Sequence, residues 1–217
     1  LRQWGGFEPG TEATRWTGGL LEKLLETHRI ARFRRRISQE PKGSGYAEID
    51  KTIKLTEKLQ RTRQIDALIL FKDLDDDVSR RTALLQARDE NNGLFVVVIA
   101  TPKWKREAWI LHGFECQTEN EKQQLMAFQQ TLGFDPRTRA ENLRHNTAND
   151  PKMILQALLN EYASGEVRYQ RQALCWQTTP LSLLRQRGRA TYLNDFLDEI
   201  QQYLLPLIDP GSPHQKT

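Results

Sequence analysis

Residues 65–77 read IDALILFKDLDDD. Ala67 to Phe71 is an uninterrupted apolar run of strand length, and Asp73, Asp75, Asp76 and Asp77 follow within five positions. Like charges gathered that closely repel and raise one another's pKa unless a cation or water screens them. An apolar strand that ends in acid therefore points to a site at its carboxyl end. The chain on either side is arranged to suit. Ser79 to Asn91 carries Leu84, Leu85 and Ala87 at helical spacing, and Asn91-Asn92-Gly93 supplies stop chemistry. Leu94 to Ala100, LFVVVIA, is the most apolar stretch of the chain and reads as a strand buried on both faces. Strand, helix and buried strand make a βαβ unit, which predicts an α/β fold with a largely parallel sheet flanked by helices. In such sheets ligands gather at the carboxyl ends of the strands. The segment after the second strand, Thr101 to Trp109, returns to that same edge and places Glu107 near Asp73 and Asp75 by topology.

The surrounding chain is mainly helical in pattern. Leu20, Leu21, Leu24 and Leu25 predict a helix over about 11–27, and Ile49, Ile53, Leu55, Thr56 and Leu59 another over 47–62. Between them, Arg32 to Ser38 alternates like a strand with a basic face, and residues 40–45 read as a loop from their Pro and Gly content. Further on, helices are expected over about 117–130, from Pro151 towards Tyr162 with Asp150 as its cap, through Leu181–Leu184, and over 191–205. This gives a core over residues 1–115, a mostly helical region over 116–208, and a disordered tail over 209–217.

Composition narrows the class. The chain has 217 residues, 38% hydrophobic and 28% charged, with a net charge of +4. No apolar run approaches the roughly 18–20 residues that span a bilayer, and no leader pattern opens the sequence, so a cytoplasmic, non-membrane protein is expected. Cys116 and Cys175 stand at no metal-ligand spacing and read as reduced structural thiols. The positive charge is clustered. Arg29, Arg32, Arg34, Arg35 and Arg36 form one group, and Arg185, Arg187 and Arg189 alternate later. Basic stripes beside an acidic cluster suit a metal-dependent enzyme acting on a phosphate backbone. His112, one turn after Glu107, reads first as a structural histidine and second as a residue facing the site. His28, His145 and His214 have no partner at a ligand spacing. Trp104 and Trp109 read as packing rather than as base-stacking platforms.

Three pieces together resemble the Toprim fold, the metal-binding domain of topoisomerases, primases and OLD-type nucleases. They are Glu8-Pro9-Gly10-Thr11-Glu12, Asp73-Leu74-Asp75 after its apolar strand, and LFVVVIA followed by Pro102 and Glu107-Ala108-Trp109. The last is similar to small stand-alone Toprim-like proteins of prokaryotic defence loci, often encoded beside an ABC-type or AAA ATPase. The first departs from the family pattern: Pro9 stands where Gly is usual, and no apolar strand precedes Glu8, which leaves Glu12 or neither as alternatives to it. The resemblance implies a Toprim-like Rossmannoid sheet with a helical C-terminal extension. It implies Mg²⁺ or Mn²⁺ held by Asp73, Asp75 and Glu8, with Glu8 and Glu107 as catalytic residues. Lys72, Lys103, Lys105, Arg106, Arg34 and Arg36 are the cations expected to hold phosphate or nucleic acid. The implied activity is Mg²⁺-dependent hydrolysis of DNA or RNA (tRNA included), as the effector of an antiviral system with an ATPase partner and possible self-association. Two alternatives stay open: a catalytically inactive Toprim-like scaffold subunit of an ATPase complex, and a phosphoryl-transfer enzyme using the same metal site.

Overall fold

The computed structural model describes residues 18–27, 29, 43–61, 64–91, 93–162 and 165–209. They divide into two compact units, one drawn from the chain up to residue 65 together with 83–94, the other from 66–82 and 95 onward. Glu8, Glu12, the Arg32–Arg36 cluster, the strand expected over 32–38 and residues 210–217 lie outside the described residues.

The first unit is helical. Helix α1 spans Gly18–Thr27 and α2 spans Tyr46–Leu59. Leu21 and Leu25 lie one turn apart on α1 and bury against Leu55 of α2. The same two helices are joined by an ion pair between Lys51 and Glu22. Gly45 opens α2 from a left-handed conformation (φ 87°) that a side chain would resist. Tyr46, Ile49, Ile53, Ala83, Leu84 and Ala87 are also buried in this unit.

The second unit holds the sheet. Strand β1 is Ala67–Phe71, helix α3 is Ser79–Glu90, and strand β2 is Val96–Ala100. Helix α3 begins in the second unit and continues into the first. The strands pair in parallel, from Ala67 opposite Val96 to Phe71 opposite Ala100. The βαβ order is present, but among the described residues the sheet has only these two strands, and the protein is mostly helical. Nor is β2 buried along its whole length: Val98, Ile99 and Ala100 are buried, whereas Val96 and Val97 are half-buried. The apolar run begins in a turn, where Leu94 is exposed.

The helices that follow are α4 (Arg106–His112), α5 (Glu119–Leu132), α6 (Pro151–Leu158), α7 (Gly165–Gln177), α8 (Leu181–Gly188), α9 (Leu193–Glu199) and α10 (Leu205–Ile208). Their ends follow local chemistry. The Thr118 hydroxyl accepts from the Glu121 N–H to open α5, and Gly133 closes it at φ 73°. Asp150 caps α6 by accepting from the Lys152 N–H, with Pro151 at the first helical position. The second unit runs through residue 115 without a break: Ala108, Phe114, Leu125, Ile154 and Cys175 share one buried cluster. Close approach of α4 to α7 sets the spacing there. A Cβ on Gly113 would fall 2.1 Å from the Cys175 carbonyl oxygen.

Two departures from the sequence pattern have physical causes. The helix expected over 191–205 starts late, at Leu193, and then runs without a break to Ile208. A 3₁₀ turn covers Arg189–Thr191, Tyr192 is left-handed (φ 64°), and a π-turn covers Ile200–Leu204. The Thr191 carbonyl accepts instead from Trp109 Nε1 (2.7 Å) and the Lys103 N–H (3.2 Å), which diverts it from the helical ladder. Helix α7 was not expected at all, because its buried positions are Arg171 and Cys175 rather than an apolar stripe.

Arg171 explains how α7 packs. Its guanidinium donates to both oxygens of buried Glu121 (Nε–Oε1 2.8 Å, Nη2–Oε2 2.9 Å) and to the Glu115 carbonyl (2.7 Å), with its Cζ 4.7 Å from the Phe114 ring centroid. Tyr162 Oη and the Gln117 N–H also donate to Glu121. Burial alone would raise the Glu121 pKa, but the hydrogen bonds and charge of Arg171, with the Gln117 N–H and the Tyr162 hydroxyl, together outweigh it and hold the carboxyl below the usual range. Removing one member leaves the other charged and buried. Glu121→Ala is expected to lower the unfolding free energy by about 3–5 kcal/mol, read by urea denaturation. A loss near zero would show that α5 and α7 do not depend on the pair.

Candidate functional site

The acidic stretch lies where β1 runs out. Backbone pairing continues past the strand, with Lys72 N–H donating to the Ala100 carbonyl (2.9 Å) and Leu74 N–H to the Pro102 carbonyl (3.2 Å). Leu74 is fully buried and anchors the turn. At Asp75 the alternation stops. Its φ is 50°, and its N–H donates to the Trp104 carbonyl at 2.8 Å. A shared direction for Asp73 and Asp75 from period-two spacing therefore ends at Leu74, because a left-handed residue re-aims its side chain.

Asp73 Oδ1 accepts from the Arg106 N–H at 2.8 Å, at the start of α4. Burial pushes the Asp73 carboxyl above the usual carboxylate range. The Arg106 N–H opposes that rise, and the charges of Glu107 and Asp75 add to it. The β2–α4 connection thus brings Glu107 within electrostatic reach of Asp73. Arg80, on the first turn of α3, faces the same cluster. Its Nη1 donates to the Asp73 carbonyl (3.1 Å) and to Asp75 Oδ2 (3.3 Å), and its Nε lies 3.9 Å from Asp77. Asp77 accepts from Ser79 Oγ and the Arg80 N–H, so it caps α3.

A second group reaches the cluster from the turn before α6. His145 Nε2 lies 4.0 Å from Asp75 Oδ1, and its Nδ1 lies 3.3 Å from Asp150 Oδ2. Asp150 is buried and accepts from Lys105 Nζ (2.6 Å) and from the N–H groups of Asn146 and Lys152. Burial would raise the Asp150 pKa, but Lys105 and those N–H groups outweigh it and hold the carboxyl below the usual range. Sequence spacing gave His145 no partner, and it lies between two carboxylates. The Asp150-Pro151 signal marked only a helix start.

The expected cations separate by what they touch. Lys105 is committed to Asp150, which takes it out of the set open to phosphate. Arg106 meets the site through its backbone N–H, while its side chain reaches Gln172 Oε1 at 3.3 Å. Lys103 Nζ lies 5.2 Å from the centroid of the Trp104 ring. Lys72 is half-buried at the end of β1. Arg34 and Arg36, like Glu8, lie outside the described residues. Arg187 turns inward to Glu115 and the His112 carbonyl, and Arg185 pairs with Asp198, so the alternating arginines do not form one exposed track. Trp109 is fully buried and stacks on Phe196 with centroids 5.3 Å apart. Both described thiols are free and are held protonated by burial, Cys175 at about 11.

Among the described residues no group of three His, Cys, Asp or Glu side chains is placed to hold one metal ion. Asp73 and Asp75 offer two hard oxygen donors, the number that Mg²⁺ commonly takes from protein. No family model, curated protein or solved structure matches the chain. No described helix is long and apolar enough to cross a membrane.

His112 belongs to the core rather than to the acidic edge. It is fully buried, with Nδ1 2.7 Å from the Arg137 carbonyl and Nε2 2.8 Å from Thr191 Oγ1. The carbonyl accepts from Nδ1–H, which leaves Nε2 to accept from the hydroxyl. Burial lowers its pKa to about 4; the Arg137 hydrogen bond opposes this, and the Arg187 charge adds to it. Above pH about 6.5 the imidazole is neutral whether folded or unfolded, so stability is unaffected there. As pH falls from about 6.5 to about 4, only the unfolded chain gains the proton, and about 3 kcal/mol of stability is lost. Chemical denaturation across that range is expected to show this component in the native protein and not in His112→Gln. Parallel pH profiles for the two would contradict it.

Proposed function

We propose that the carboxyl end of β1 is a divalent-metal site of Toprim type, and that the protein hydrolyses phosphodiester bonds in DNA or RNA. The observation that carries this reading is the mutual charge at Asp73. A half-buried carboxyl is raised by its own burial and further by Glu107 and Asp75, an arrangement that a bound cation relieves. The parallel β1–β2 pair, with the acidic turn and the α4 entry at one edge, supports the Toprim-like fold within a mixed α/β chain.

In this reading Asp73 and Asp75 hold Mg²⁺ or Mn²⁺, with Glu8 as the further ligand that the family resemblance implies. The ion supplies Lewis-acid charge against the negative charge that develops on the phosphodiester. The Glu107 carboxylate orients an attacking water and takes its proton. The Arg106 N–H fixes the Asp73 side chain. Work as the effector of an antiviral system beside an ATPase rests on the resemblance alone.

A second reading, a non-catalytic scaffold subunit, is favoured by Arg80. Its guanidinium lies in the acidic turn and balances Asp75 with an internal charge. A nuclease assay with Mg²⁺ or Mn²⁺ on DNA and tRNA separates the two. Cleavage is expected, and Asp73→Asn, which keeps an oxygen for the Arg106 N–H, is expected to reduce it about 100-fold. Cleavage unchanged in Asp73→Asn would overturn the site. No cleavage by the native protein, alone or with a co-purified ATPase, would favour the scaffold.

A further inference from the structure

Most described cations around the acidic edge are engaged by other groups. Arg80 is held by Asp75 and Asp77, Arg81 by Asp195, Lys105 by Asp150, and the Arg106 side chain by Gln172. Lys103 and Arg144 are different. Both stand at one aromatic ring, with Lys103 Nζ 5.2 Å and Arg144 Cζ 5.1 Å from the Trp104 centroid. Arg144 Nη1 also donates to the carbonyls of Glu141 (3.2 Å) and Leu143 (2.9 Å). Among the described residues no carboxylate pairs with either. Two like charges on one ring repel, and an external anion offsets that repulsion.

One hydrogen bond and one close approach place this patch beside Asp75. The Trp104 carbonyl accepts from the Asp75 N–H at 2.8 Å, and His145, the residue after Arg144, reaches to 4.0 Å from Asp75 Oδ1. The indole is itself fixed, donating from Nε1 to the Glu141 carbonyl at 3.1 Å. Arg144 is exposed and Lys103 half-buried, so both charges are open to a ligand. An anion that reaches both cations while another of its charges meets the acidic edge carries several phosphates in a row, which a nucleic acid strand does.

We propose that Lys103 and Arg144, held at the Trp104 ring, bind the backbone phosphates of a nucleic acid strand next to the phosphodiester presented to Asp73 and Asp75. This rests on the phosphodiesterase reading and adds Arg144, which sequence spacing did not single out. Lys103 and Arg144 set the path of the strand, while the acidic edge carries the chemistry. The contacts are to phosphate, so affinity depends on salt and little on base sequence.

The test is fluorescence anisotropy in EDTA, with short labelled DNA and RNA oligonucleotides of one sequence, over a series of salt concentrations. The native protein is expected to bind at least one of them. Lys103→Gln and Arg144→Gln should each weaken binding about fivefold and lower the salt slope by about 0.7, and the double variant by about twice that. Loss with one polymer and not the other identifies the strand. Unchanged thermal unfolding of the exposed-site variant Arg144→Gln confirms that the loss is local. Native binding and salt slope in the double variant, absence of binding to either strand, or equal affinity for adenosine monophosphate would each overturn the proposal. Asp73→Asn keeps the two readings apart. If it abolishes cleavage while the double variant binds normally, only this inference fails. If it leaves cleavage intact while the salt slopes fall as expected, only the assignment of the acidic edge fails.

Discussion

The backbone pairing of β1 with β2 extends beyond the strands, and the candidate site depends on that extension. Lys72, Leu74 and Asp75 donate in turn to the carbonyls of Ala100, Pro102 and Trp104. Each bond satisfies a backbone group that would be costly to leave unmet near the core. Together they lay the acidic turn alongside the segment that becomes α4. Fully buried Leu74 fixes the turn from beneath. The outcome is that Asp73 meets the first N–H of α4, and Glu107 follows one residue later. The second cluster of carboxylate and histidine arrives from the turn before α6, held by Lys105 on the same connecting segment.

Much of the local structure was legible in the sequence, and the reasons are specific. Apolar runs of strand length marked β1 and β2, and apolar residues at helical spacing marked α2 and α3, because burial drives each of them. Asp150-Pro151 marked the start of α6 through its cap. Helix α7 was invisible because it buries an arginine against Glu121, a polar pairing that no hydropathy pattern reports. The late start of the last helix was hidden because the diversion of the Thr191 carbonyl to Trp109 and Lys103 is a long-range event. The strands pair in parallel as the βαβ pattern implies, and among the described residues the sheet stops at these two.

The approach of the carboxylates to one another was legible in the sequence, and the partners of the cations were not. Asp73 and Glu107 approach through topology, which a strand–helix–strand order encodes. Charge type says nothing of partners. Lys105 and Arg187 look like phosphate ligands in sequence and are inward-facing structural ions in the fold. Arg144 and His145 sit in a polar turn without a motif, and only the path of the chain places them beside Asp75. Arg80 is the decisive contrast. An arginine on the first turn of α3 already offsets part of the charge that a metal ion would offset, so a metal ion bound there would compete with Arg80 for Asp75.

That competition makes metal uptake the most direct measurement of the acidic edge. Titration of Mn²⁺ followed by electron paramagnetic resonance reports binding without any need for a substrate. A saturable site is expected on the native protein and is lost when Asp73 and Asp75 are both changed to Asn, with the fold retained by circular dichroism. No saturable binding by the native protein, or equal binding by the double variant, would contradict a metal site at the end of β1.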